Sequence, residues 1–218
     1  MTDTERQITL FGKPRRSISS DRLGTYLTAA GFDEDRALQL YIWNAHVGEA
    51  FHLPVQGAEV ALRNAINSAL CEKFTAQWWE SLDFLRITDR ERKEDLITVI
   101  SRIKKRKKPC VTGQVVAGLS FGFWVGMLQS GYNIPIWSSH LRVAFPNLPA
   151  DKNRFDVAAS AKRVADLRNR IGHHEPILRM NLSVEYKAVM DLLTWLCPVK
   201  SEWLKPKCRV PALLREKP

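Results

Sequence analysis

Apolar residues recur along this chain at intervals of three and four, the signature of helices that bury one face. A first short helix is expected from a cap at Ser19 or Ser20 to a stop at Gly31. Asp33 then offers its carboxylate as the cap of a stronger helix, with Ala37, Leu40, Tyr41, Asn44, Val47 and Phe51 on one stripe. The triplet His52-Leu53-Pro54 is expected to break it, because proline lacks the amide hydrogen that a helix interior needs. Residues 55–74 start a new stripe of Val55, Ala58, Leu62, Ile66, Ala69 and Leu70. A further pattern covers Arg90–Lys105 through Leu96, Val99, Ile100 and Ile103.

Residues 114–129 are apolar nearly all round and almost uncharged. They fall short of the roughly 20 residues that span a bilayer, so they read as a helix buried in the core or in a subunit contact. Residues 132–148 read as loop and short helix, punctuated by Pro135 and Pro146. Asp151 is the expected cap of a helix carrying Phe155, Ala158, Ala161, Val164, Ala165 and Ile171. Ser183 is the expected cap of the last one, with Val184, Ala188, Val189, Leu192, Leu193 and Leu196, ended by Pro198. No run alternates with period two between hairpin turns. The expectation is all-α: a single helical domain of about six or seven helices over residues 19–199. A flexible basic arm (1–18, ending near Lys13-Pro14-Arg15-Arg16) precedes it, and a basic, proline-broken tail (200–218) follows.

Charge narrows the choice of partner. Lys and Arg number 33 against 23 Asp and Glu, a formal net charge of +10. Such an excess favours polyanions, nucleic acid foremost, and says nothing about fold. One basic run, Lys104-Lys105-Arg106-Lys107-Lys108, closes a helix. It reads either as a solvated end that complements the helix dipole or as a phosphate-gripping loop. Cys71, Cys110, Cys197 and Cys208 are scattered, and no ligand spacing joins them to His173 and His174. Reduced thiols are expected, with no metal and no cofactor. The first residues lack the basic start and apolar run of a signal peptide, and no window reaches the length of a membrane span. A cytoplasmic protein with no membrane partner is expected.

Candidate chemistry concentrates in residues 167–176, Leu-Arg-Asn-Arg-Ile-Gly-His-His-Glu-Pro, which hold two of the five histidines. Arginine supplies a permanent forked charge suited to phosphate. Histidine supplies a proton donor or acceptor near neutral pH. On a straight helix Arg168 and His173 stand about 140° apart, whereas Arg170 and His174 share a face. Gly172 and Pro176 allow the helix to break and the histidines to swing back toward Arg168. Geometry alone leaves both pairings open. The plainer reading is a helix end whose Arg and His side chains cap carbonyls, with Glu175 as an ion-pair partner. Glu59 and Arg63, four apart, fit an ordinary intrahelical ion pair. Alternatively, Arg63 and Asn64 stand beside the motif and help to bind phosphate or position Arg168. Trp43, Trp78 and Trp79 suit the core, or stacking on bases.

Arg168, four intervening residues and His173, with Asn169 directly after the arginine, resemble the arginine–histidine signature of HEPN domains, which are all-α ribonucleases. The longer string at 167–176 resembles, more narrowly, the Abi-like (abortive infection) family within that group. Three further strings resemble that family in the expected order: Tyr41-Ile42-Trp43-Asn44, Glu59-Val60-Ala61-Leu62-Arg63-Asn64-Ala65-Ile66 and Leu119-Ser120-Phe121-Gly122-Phe123-Trp124. The resemblance covers about residues 20–197. It departs at Gly172, where the family pattern suggests a small residue such as alanine.

The resemblance implies a HEPN-like helical bundle and a metal-independent endoribonuclease, acting as a toxin or phage-defence effector. Arg168 would hold the phosphate and stabilise charge in the transition state. His173 would act as base on the ribose 2′-OH or as acid toward the 5′-oxygen. Asn169, His174 and Glu175 would support them, with Arg63, Asn64 and Glu59 nearby. Lys104, Lys105, Arg106, Lys107, Lys108 and Arg170 would bind RNA. One imidazole offers one proton-transfer group, so a homodimer with a composite site is implied, with residues 114–129 or the motif helix near its interface. An antitoxin is a further implied partner. Two other readings stand beside this one: a non-catalytic RNA-binding or regulatory module of the same fold, and a structural helix cap with incidental charge.

Overall fold

The computed structural model describes residues 18–107 and 109–218, and every regular element among them is helical. The α-helices are α1 (Ser20–Ala29), α2 (Glu34–Lys73), α3 (Leu82–Ile87), α4 (Arg90–Lys105), α5 (Thr112–Gly118), α6 (Phe121–Gly126), α7 (Ser138–Ala144), α8 (Arg154–Gly172), α9 (Leu182–Leu196), α10 (Pro198–Leu204) and α11 (Val210–Arg215). The basic arm at 1–17 and Lys108 lie outside the described residues. Among the described residues no helix is long and apolar enough to cross a membrane.

The axis of the molecule is α2, whose 40 residues make a rod about 60 Å long. Asp33 caps it as expected, its Oδ1 accepting the Arg36 N–H at 3.0 Å. The break expected at Pro54 does not occur, and the stripes on either side of it belong to one helix. The reason is phase. Val47, Phe51, Val55 and Ala58 follow one another at three-to-four spacing and are all buried, so the same face meets the core before and after the proline. Burying that face outweighs the roughly 3 kcal/mol that an interior proline costs.

Helices α1, α8, α9 and α11 pack along α2, and α9 also lies against α8. One cluster of buried side chains runs through them from Tyr26 to Leu213. Residues 114–129 form two short helices, α5 and α6, rather than one. Ser120 separates them, because its Oγ accepts the Phe123 N–H at 3.1 Å and starts α6 afresh. Their apolar side chains, among them Val115, Phe123 and Trp124, are buried in this chain's own core.

The tryptophans expected in the core or on bases are in the core. Trp78 is 0% and Trp79 2% exposed, and Trp78 packs edge-on against Phe84 and Trp124. Trp43 is buried, with its indole N–H donating to the Leu213 carbonyl at 2.8 Å. None of the three can stack on a base.

Two caps differ from expectation by two residues. Asn153, not Asp151, starts α8, through a capping box in which Asn153 Oδ1 accepts from Phe155 N–H and Asp156 Oδ2 accepts from Asn153 N–H. Asn181, not Ser183, starts α9, accepting the Val184 N–H at 3.2 Å. Beyond α9, residues expected to be a proline-broken tail fold into α10 and α11. Pro198 occupies the first turn of α10, where its missing N–H is no loss. Leu204, Val210 and Leu213 are buried, and Lys200 Nζ donates to the Gly57 carbonyl at 3.1 Å.

Candidate active site

The polar string at 167–176 is where α8 ends, and the backbone there follows the Schellman pattern. His174 N–H donates to the Ile171 carbonyl at 3.0 Å and Glu175 N–H to the Arg170 carbonyl at 2.8 Å. The helix does stop at Gly172, but Gly172 does not make the turn. His174 does, at φ 56°, in the left-handed region that costs a residue with a side chain about 1–2 kcal/mol. Two contacts hold it there. Arg22 of α1 donates through Nη1 to the His174 carbonyl at 2.9 Å. Asn44 of α2 accepts the Ile177 N–H at 2.8 Å inside the core.

Asn44 is thus the anchor of the chain that leaves the motif. Asn44→Ala is expected to destabilise the protein by about 1–3 kcal/mol, because it strands a buried N–H. Chemical denaturation would measure this, and an unchanged midpoint would count against the anchoring role.

The end of α8 lies close against α2: a Cβ placed on Gly48 would meet Ile171 Cγ2 at 3.7 Å. Two cavities flank this crossing. The smaller, about 560 Å³, is lined by Glu59 and Arg63 of α2 and by Arg168 and Gly172 of α8. Arg168 Nε lies 3.7 Å from Glu59 Oε2, and its Nη1 donates to Asn169 Oδ1 at 3.3 Å. The expected ion pair between Glu59 and Arg63 is absent; Glu59 turns across to α8, and among the described residues Arg63 has no ion-pair partner. Arg168 remains half exposed, at 49%. A pair this open is worth about 0–1 kcal/mol, so Glu59 orients the guanidinium without holding it back from an incoming phosphate.

The larger cavity, about 800 Å³, carries His174, Glu175, Arg22, Glu49 and Tyr41, with Tyr26 beneath. Burial pushes the Tyr26 hydroxyl up to about 12, Tyr41 adding to the rise and Arg22 offsetting part of it. At neutral pH Tyr26 is therefore an uncharged wall. Ile171 and His52 line both cavities and form the ridge between them.

The remaining candidates are dispersed. His173 caps the helix and is exposed; its N–H donates to the Asn169 carbonyl at 2.9 Å, and its imidazole lines neither cavity. Arg170 faces Glu175 at 3.7 Å rather than His174. Asn64 is exposed on α2 outside the cavity. Lys104, Lys105, Arg106 and Lys107 are exposed at the end of α4, with Arg106 as its C-cap. They line neither cavity. The four cysteines are free. Among the described residues no group of three or more His, Cys, Asp or Glu side chains is placed to hold a metal ion.

Among the cavity-lining residues that escape a reading of the sequence are His52, Arg22, Tyr26 and Glu49. The signal for His52 was its spacing. It precedes Glu59 by seven residues and Arg63 by eleven, about two and three helical turns along one face. Comparisons with protein-family models, with curated proteins and with solved structures found no match.

Proposed function

We propose that the protein is a metal-independent endoribonuclease of the HEPN, Abi-like kind, acting as a toxin or phage-defence effector in the cytoplasm. One observation supports this above the others. Two guanidinium groups on different helices, Arg63 and Arg168, line one open cavity beside the histidine-bearing end of α8. Forked cations converging on a solvent-filled cavity suit a phosphodiester, and an adjacent imidazole suits the proton that must leave a 2′-hydroxyl.

In this proposal Arg168, steered by Glu59, and Arg63 hold the phosphate. His173 moves a proton at the ribose 2′-oxygen or the 5′-oxygen. Asn169 limits the swing of Arg168, while His174 and Glu175 shape the neighbouring cavity. The exposed Lys104–Lys107 side chains and Arg170 attract the rest of the strand through long-range charge. A homodimer and a restraining antitoxin belong to the same proposal. Purified protein is expected to cut total RNA in the presence of EDTA, leaving 2′,3′-cyclic phosphate and 5′-hydroxyl ends. End-mapping of the products checks this, and cleavage that stops on chelation would sink the mechanism.

A second reading, a non-catalytic RNA-binding module, is favoured by the place of His173 outside both cavities. It requires salt-sensitive RNA binding with no cleavage by any preparation.

A further inference from the structure

Transesterification of RNA needs one group to take a proton and another to give one, and Arg168 with His173 supplies a single imidazole. We propose that His52, provided by α2 of the same protomer, is the second proton-transfer group in place of an imidazole from a second copy across a composite site; this rests on the ribonuclease reading above. His52 and Ile171 form the ridge between the cavity that holds Arg63 and Arg168 and the larger cavity beside it. The side chain is exposed, so substrate can reach it. Among the described residues it makes no hydrogen bond and no ion pair. The fold therefore leaves its imidazole uncommitted.

The ridge is the right place for the role. A phosphate between Arg63 and Arg168 leaves its nucleoside to pass over the ridge into the larger cavity, whose walls include Tyr26, Tyr41, Leu53 and Ile177. That space, about 800 Å³, admits a nucleoside. The ester oxygen joining the two parts then lies beside His52.

The step balances. The 2′-oxygen forms a bond to phosphorus as the bond from phosphorus to the 5′-oxygen breaks. One neutral imidazole accepts the 2′-hydroxyl proton, and one protonated imidazole gives its proton to the 5′-oxygen. Neither electrons nor a co-reactant is required.

The charged groups that line the two cavities together with His52 are balanced in sign. On its own helix they are Glu49, Glu59 and Arg63, with the Tyr41 hydroxyl; from α1 come Arg22 and the neutral Tyr26; from the end of α8 come Arg168, His174 and Glu175.

The test compares wild type, His52→Ala and His52→Gln on total RNA with EDTA, over a range of pH. Wild type is expected to give a bell-shaped rate profile. Both variants are expected to cut at least about 100-fold more slowly and to lose one limb of the bell, with thermal stability and RNA retention on filters unchanged. Mixing His52→Ala with Arg168→Ala protein is expected to restore nothing, because the two groups act within one protomer. Wild-type rates in the variants, a slow variant that keeps both limbs, or recovery on mixing would overturn the assignment while leaving the ribonuclease reading intact. A wild-type protein that binds RNA and never cuts it would instead overturn that reading, and the role of His52 with it.

Discussion

His173→Ala is expected to lower RNA cleavage by about 100- to 10,000-fold, the range for loss of a general acid or base. Arg168→Ala is expected to lower it by about 100- to 1,000-fold, the range for loss of one group that stabilises transition-state charge. Neither change should disturb the fold. Both side chains are exposed, the His173 imidazole makes no hydrogen bond or ion pair among the described residues, and the Glu59–Arg168 pair is solvent-screened. Thermal unfolding of the two variants should therefore overlay the wild-type curve, which separates chemistry from stability.

The exposed position of His173 is compatible with this role. Its neighbour Gly172 lines the Arg168 cavity, which puts the His173 backbone at the rim of that cavity. Catalytic hydrogen bonds are often loose until substrate is bound. Arg168→Lys sharpens the test. It keeps the charge and loses the fork, so partial activity would point to a point charge and near-complete loss to bidentate phosphate contact. Cleavage at wild-type rates by His173→Ala would remove this residue from the mechanism, and His174→Ala under the same conditions would show whether the turn residue acts in its place.

What the chain discloses before folding is mostly local. Ser19 and Asp33 announce their helices because a capping oxygen acts on amides two or three residues away, and α4 announces itself through four apolar positions on one face. The misplaced starts of α8 and α9 have the same origin. Asp151 and Ser183 are as good in isolation as Asn153 and Asn181, and only the reciprocal bond from Asp156 decides the first case. Pro54 misleads because a local rule, the missing amide, is overruled by a stripe that keeps phase across it. The tail misleads because α10 and α11 are short and depend on α2 and α9 for burial.

The site divides similarly. Arg168, His173, His174 and Glu175 stand out as a dense cluster in sequence. The partners that give the cluster shape come from far away: Asn44 reaches a residue 133 positions on, and Arg22 one 152 positions on. No periodicity encodes such contacts. His52 was hidden by the break expected at Pro54, which placed it at a helix end instead of on the stripe with Glu59 and Arg63.

Away from the site, Asp89→Asn is expected to destabilise the fold by about 1–2 kcal/mol at neutral pH, less than for a fully buried ion pair because Asp89 itself is 41% exposed and solvent screens it. Asp89 caps α4 and joins three groups. Its Oδ1 accepts from the Arg92 N–H and from Arg92 Nη1, each at 3.1 Å, and its Oδ2 accepts from the Tyr132 hydroxyl at 2.6 Å. The Arg92 side chain is only 7% exposed and fills the space beside Gly126, where a Cβ would overlap the guanidinium. Asparagine keeps the cap but removes the charge opposite a buried cation. Glu91, 2.9 Å from Arg92 Nη1 yet largely exposed, replaces part of it, which further limits the loss.

Burial pushes the Asp89 carboxyl upward, but the bonds from Tyr132 and from the Arg92 backbone and side chain outweigh it and hold the group below its ordinary value. A folded value below the unfolded one, about 3.9, means that the stabilisation is complete above that pH and fades as pH falls through the folded value. Wild type and Asp89→Asn should therefore differ most at neutral pH and converge below about pH 4 in urea unfolding series. Equal stability at neutral pH, or a gap that stays constant into acid, would show that the carboxylate does not hold Arg92 as described. RNA cleavage well below the melting temperature should be the same in both proteins, because Asp89 and Arg92 line neither cavity of the site.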